Sequence, residues 1–135
     1  MKPIKFRGLT KDGEWVKGWY CKVEGKHYII LDDAKIVTSL YGPRFNNVIK
    51  GFNEVIPDTV SQYTGFKDTK KTEIYKHDLI LSFDGTMYVV HWDIENGQWW
   101  GIVRNGGKKK FSRPLTEILA KGYTEVIGNI HQNKT

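Results

Sequence analysis

The chain has 135 residues, the size of one ordinary domain. Hydrophobic residues make up 39% and charged residues 27%, a balance that excludes a long disordered chain, and no apolar run approaches the ~20 residues of a spanning helix. The net charge of +6 attracts polyanions in general, but only Arg7, Arg44, Arg104 and Arg113 are arginines. Arginine makes bidentate phosphate and guanine contacts, whereas lysine is a hydrated point charge, so the charge favours weak polyanion contact over base-specific reading. The single cysteine, Cys21, forms no internal disulfide and excludes a zinc site built on several thiolates. With no apolar stretch in Met1–Arg7, no secretory signal is expected.

Taken in chain order, Ile4 to Leu9 reads as a strand, turned by Lys11-Asp12-Gly13 into a second strand from Glu14. Over Glu14 to Glu24, Trp15, Trp19, Cys21 and Val23 fall on one face, with Lys17 interrupting, and Gly18, Tyr20, Lys22 and Glu24 on the other. This period-two pattern is that of a half-buried strand, and Trp15 and Trp19 are assigned to the core. Glu24-Gly25-Lys26 is a tight turn into His27 to Leu31, completing a hairpin. Ile36 to Leu40 fits a strand, and Gly42, Pro43, Asn46, Asn47 and Gly51 mark Tyr41 to Gly51 as a loop, expected to gain its order at a symmetric subunit contact. Asn53 to Ile56 and Thr59 to Phe66 are extended, broken at Pro57.

Asp78 to Phe83 is the next strand, turned by Asp84-Gly85 into Thr86 to Ile94. There Tyr88, Val90, Trp92 and Ile94 share a face, and Tyr88, Val90 and Trp92 are expected in the core together with Ile127. Glu95-Asn96-Gly97 turns into Gln98 to Arg104, where Trp99 and Trp100 put one indole on each side, one of them in the core. Ser112-Arg113-Pro114 opens a short helix over Pro114 to Lys121, with Leu115, Ile118 and Leu119 at helical spacing and Gly122 as its stop. Tyr123 to His131 returns to strand. The expected fold is all-β with minor α, in a single domain over residues 1–135: N-terminal β-hairpins (1–56), then a small barrel-like antiparallel meander with one short helix (57–135).

Candidate chemistry is sparse, and no phosphate-loop, nucleotide-fold, zincin or EF-hand pattern is present. His91 and Asp93 lie two apart on a strand and so face the same way, as a metal-binding pair or as a base with its orienting carboxylate. The bland alternative is a polar solvent face. His77 and Asp78 diverge if extended, which favours turn chemistry for Asp78. Cys21 reads as a small hydrophobe. Lys108, Lys109 and Lys110 form a basic connection and Trp100 an aromatic beside it. Together they could touch phosphates and stack on bases, although charge runs are more often solvated faces.

Several blocks are recognisable. Pro57-Asp58-Thr59-Val60-Ser61-Gln62-Tyr63-Thr64-Gly65-Phe66-Lys67-Asp68 resembles the ETVGQYTGLKD block of the YopX-like phage proteins, and Glu73-Ile74-Tyr75-Lys76-His77-Asp78-Leu79-Ile80 resembles their EIYEGDIV. Glu125 to Asn133 resembles their EVIGNIYEN, Ile4-Lys5-Phe6-Arg7-Gly8 their IKFRAW start, and Tyr88 to Asp93 their middle strand. The blocks keep family order over nearly the whole chain. His77 and Ser61 stand where the family usually carries glycine, and Lys67 to Thr72 lacks its common Asn-Gly pair, so no role resting on glycine flexibility transfers.

The resemblance implies a small, mostly β protein encoded by bacteriophages and prophages and acting in the cytoplasm of the bacterial host. The family carries no agreed molecular activity, so it transfers no catalytic residue and no cofactor. The expectation is a non-enzymatic binding or accessory protein. Its partners would be further copies of itself or a phage or host protein, with weak, non-specific nucleic-acid contact and no membrane. Two alternatives stand beside it: a small ligand-binding or metal-assisted enzyme barrel using His91 and Asp93, and a weak nucleic-acid-binding module using Lys108, Lys109, Lys110 and Trp100.

Overall fold

Hairpins dominate the N-terminal half of the computed structural model, which describes residues 4–39, 46–104 and 112–131, with residues 36–39 and 46–50 described by backbone alone. The chain divides into two units, Ile4–Gln62 and one built on Tyr63–Thr135.

In the first unit β1 (Phe6–Leu9), β2 (Trp15–Val23), β3 (Lys26–Ser39) and β4 (Asn46–Val55) are followed by a 3₁₀ turn at Pro57–Thr59 and the start of β5 (Ser61–Lys67). Every pairing is antiparallel, in the order β4-β3-β2-β1-β5. The expected turns are present. Val23 pairs with Lys26, leaving Glu24 and Gly25 as the two turn residues, at φ 50° and 80°. Positive φ at both positions matches the twist of the flanking strands, and glycine adopts it at no steric cost. At the Lys11-Asp12-Gly13 turn, the Gly13 amide donates to Thr10 at 3.0 Å.

Two expectations for this unit are corrected. Residues 46–51, assigned to a loop, belong to β4, with Asn46 opposite Ser39 and Lys50 opposite Lys35. The β-branched residues Ile36, Val37, Val48 and Ile49 favour extended backbone and outweigh the asparagine and glycine turn signals. The rest of the expected loop, residues 41–45, lies outside the described residues. The second correction concerns Trp19, placed in the core from its alternation but 56% exposed. Ile29 and Val55 are buried, and both lie on the opposite sheet face from the Trp19–Ile30–Phe52 row. The two neighbouring strands therefore decide which face of β2 turns inward. Trp15 is half-buried, with the Arg7 guanidinium 5.0 Å from its ring centre.

The second unit contains the remainder of β5, β6 (Glu73–Tyr75), β7 (Asp78–Ser82), β8 (Met87–Asp93), β9 (Gln98–Val103), β10 (Arg113–Pro114), α1 (Leu115–Ala120) and β11 (Thr124–Asn129). Its main sheet is antiparallel, in the order β10-β9-β8-β7-β11. The outer strands do not pair with each other, so the meander is an open sheet and not a barrel among the described residues. Tyr63 of β5 pairs with Tyr75 of β6. The core gathers Ile74, Ile80, Val90 and Leu115, with Phe66, Trp99, Leu119 and Val126 packed around them.

The meander and the helix form where expected, although α1 begins at Leu115 after Pro114 in the N-cap position, with no side-chain cap bond. Tyr88 and Val90 are buried as expected, but Trp92 is 38% exposed and Ile127 43%. Buried Leu115 and Ile118 of α1 belong to the same packed region as Val90 and Gly101; beyond it the strand runs out into the Asp93 turn, and Ile94 at its end is exposed. Trp92 is left packing edge-on against Trp99, with ring centres 5.0 Å apart. Ile127 sits at a register shift between Val126 and Gly128. A bulge inserts one unpaired residue and re-aims its side chain, so Val126 reaches the core and Ile127 does not. Trp99 and Trp100 are both half-buried, and Trp99 is the one packed against the core, as expected for one of the pair.

Candidate functional site

The first unit carries a continuous apolar face. Cross-strand neighbours point to the same side of a sheet, so the register puts Trp19, Ile30 and Phe52 in one row and Cys21, Tyr28 and Glu54 in the next, with Val23 and Lys26 at the end. Trp19 is 56% exposed, Val23 51% and Phe52 39%, while Cys21, Tyr28 and Ile30 are half-buried. The Tyr28 and Phe52 rings lie 6.5 Å apart. Lys26 and Glu54 supply opposite charges at the edge. The reverse side is tied down: Tyr20 Oη and His27 Nδ1 are 2.6 Å apart, their rings stack, and Phe6 packs on Tyr20. The sequence shows the alternation that makes this face, but not that the face is open.

His91 and Asp93 do share a face of β8, opposite Trp100 and Gln98 of β9. With Trp100, Asn96, Ile102 and Ser112 they line a shallow groove of about 270 Å³. Asp93 is occupied with its own turn: Oδ1 accepts the Glu95 amide at 3.1 Å, and Oδ2 accepts Asn96 Nδ2 at 2.7 Å. The Asn96 side-chain amide, ahead of the backbone amides and the weaker pull of His91, holds the Asp93 carboxyl below its usual range. The Trp100 indole N–H is enclosed and has no hydrogen-bond partner among the described residues. Lys108, Lys109 and Lys110 lie outside the described residues. No group of three or more His, Cys, Asp or Glu suited to a metal is found among the described residues.

A cleft of about 410 Å³ beside α1 is lined by Asp84, Arg113 and Lys121 among others. Its charges serve local structure: Asp84 accepts the Ser82 hydroxyl and the Thr86 amide, and Arg113 and Lys121 both reach Glu117. Asp78 is fully buried and its Oδ2 accepts the Tyr75 amide at 2.7 Å, the turn role read from the sequence. Its neighbour His77 takes φ 73° and brings Nδ1 to 3.4 Å from Nε2 of His131. Sequence reading missed that pairing, since the partners are 54 residues apart and meet only through the β7–β11 ladder.

These features define a mostly β protein of two antiparallel sheets with one short helix, presenting an open aromatic sheet face. The chain belongs to the YopX protein family, whose model matches residues 5–135. No curated protein matches it.

Proposed function

We propose that the chain is a non-enzymatic binding protein whose working surface is the open face of the N-terminal sheet, and that its occupant is a protein. The observation that carries this reading is the row of Trp19, Ile30 and Phe52 flanked by Val23 and Tyr28, with Trp19 and Val23 each more than half exposed. Exposed contiguous apolar surface is characteristic of protein interfaces, and tryptophan and tyrosine are the side chains that dominate their energetics. Its most exposed large side chains, Trp19, Val23 and Phe52, carry no charge, which argues for protein over nucleic acid as its occupant. Lys26 and Glu54 at its edge are of opposite sign, so the face complements itself in a two-fold arrangement. A second copy is therefore the first partner to test. In phage or prophage life, the same surface would serve an accessory role toward phage or host proteins in the host cytoplasm.

Trp19→Lys places a charge at the centre of the face and leaves the buried side untouched. Light scattering at about tens of micromolar should show wild type as an oligomer and the variant as a monomer with the same far-ultraviolet circular-dichroism spectrum. A wild type that is strictly monomeric, and that captures the same proteins from prophage-bearing cells as the variant does, would end this reading.

A further inference from the structure

We propose that His77 and His131 form a two-histidine binding site for a borderline transition-metal ion (Zn²⁺, Ni²⁺ or Cu²⁺), with His77 Nδ1 and His131 Nε2 as ligands. The inference is independent of the sheet face, since both residues belong to the second unit.

The geometry points there. The two nitrogens are 3.4 Å apart, and the ring centres 5.2 Å apart at an interplanar angle of 85°. A tetrahedral ion with metal–nitrogen bonds of about 2.0–2.1 Å holds two imidazole nitrogens about 3.4 Å apart and the ring centres behind them about 5.2 Å apart. Both separations are met at once, in rings already turned across one another. Both histidines are half-buried, so an ion can reach them from solvent while the backbone beneath stays ordered.

The backbone holds the pair in place. The His77 amide donates to Val90 at 2.9 Å, and its carbonyl accepts the Ile130 amide at 3.1 Å. The Asn129 side-chain oxygen accepts the His131 amide at 2.9 Å. His77 sits at φ 73°, a conformation that disfavours side chains. Without metal the two nitrogens can share one proton. On binding, the ring that donated carries its proton on its other nitrogen, so two neutral imidazoles take the ion with no net proton release. Water completes the coordination. Binding is lost in acid, because only the neutral imidazole ligates a metal ion.

The test uses untagged full-length protein and Zn²⁺ alone, followed by nitrogen-15 NMR of the histidine rings. Saturable shifts at His77 Nδ1 and His131 Nε2, with His27 and His91 unchanged, are the expected result. His77→Gly removes a ligand at a position whose φ suits glycine, so it should fold, and it should weaken binding by about tenfold or more. His131→Gln should do the same. Zinc shifts confined to His27 or His91, or affinity unchanged in a folded His77→Gly protein, would show that the pair is only a hydrogen-bonded contact.

Discussion

The Asp68 carboxylate accepts the backbone amide of Val126, 58 residues further along, at 2.8 Å, while its other oxygen accepts the amide of Thr72, also at 2.8 Å. Asp68 is 7% exposed, so a single buried side chain closes the turn after β5 and binds the start of β11. The neighbouring Thr69 repeats the link, its hydroxyl accepting the Thr124 amide and its own amide donating to the Thr124 carbonyl.

Asp68→Ala should destabilise the protein by about 2–4 kcal/mol, because two amides lose a charged acceptor in a place with little access to water. Asp68→Asn retains one acceptor oxygen and should cost about half as much. Urea unfolding checks this, with the midpoint falling and the slope unchanged.

Trp92→Ala should cost about 1–2 kcal/mol, less than the ~3–5 kcal/mol of a buried tryptophan. The indole is 38% exposed, and its main loss is the edge contact with Trp99. Leu115→Ala, at a fully buried position, should cost about 2–5 kcal/mol. Equal losses from the two substitutions in the same denaturant series would contradict the boundary drawn here for the core.

Asp84 is held down to about 2, first by the Ser82 hydroxyl and then by the Thr86 amide. A carboxyl depressed in the folded state from 3.8 contributes stability that is complete above its unfolded pKa and lost as pH falls through its folded one. Asp84→Asn should therefore lower the thermal midpoint at about pH 5, with the gap to wild type closing as pH falls from about 4 towards 2. Carboxyl NMR of wild type should give a titration midpoint near 2 for this residue; a midpoint near 4 would count against the turn geometry.

Gly101 faces α1 so closely that an added Cβ would stand 2.4 Å from Ile118 Cδ1 and 3.1 Å from Tyr88 Cβ. Gly101→Ala should cost about 1–3 kcal/mol by overpacking. Ile118→Val removes the nearer of those atoms, so the double variant should be more stable than the two single losses predict, by ~1 kcal/mol. A thermal-melt mutant cycle showing simple additivity would mean that the helix moves away instead.

The sequence by itself determined the turns and the existence of most strands, because those signals act between neighbours in the chain. Glu24-Gly25 and Asp84-Gly85 mark reversals, and alternation marks the strands beside them. Its ordered blocks also determined the family. Only the tertiary structure decided which side of each strand faces inward. Alternation over Trp19, Cys21 and Val23 shows two faces of β2 but not their fates. Those depend on Ile29 and Val55, which lie on strands brought alongside by pairing. The exposure of Trp92 depends on what packs against β8 beyond Val90, and that of Ile127 on a bulge set by pairing with β7. The contact between His77 and His131 depends on a ladder joining segments 54 residues apart. Burial and site geometry are properties of what packs against a residue, and that partner is named by the fold and not by the residue's neighbours in the chain.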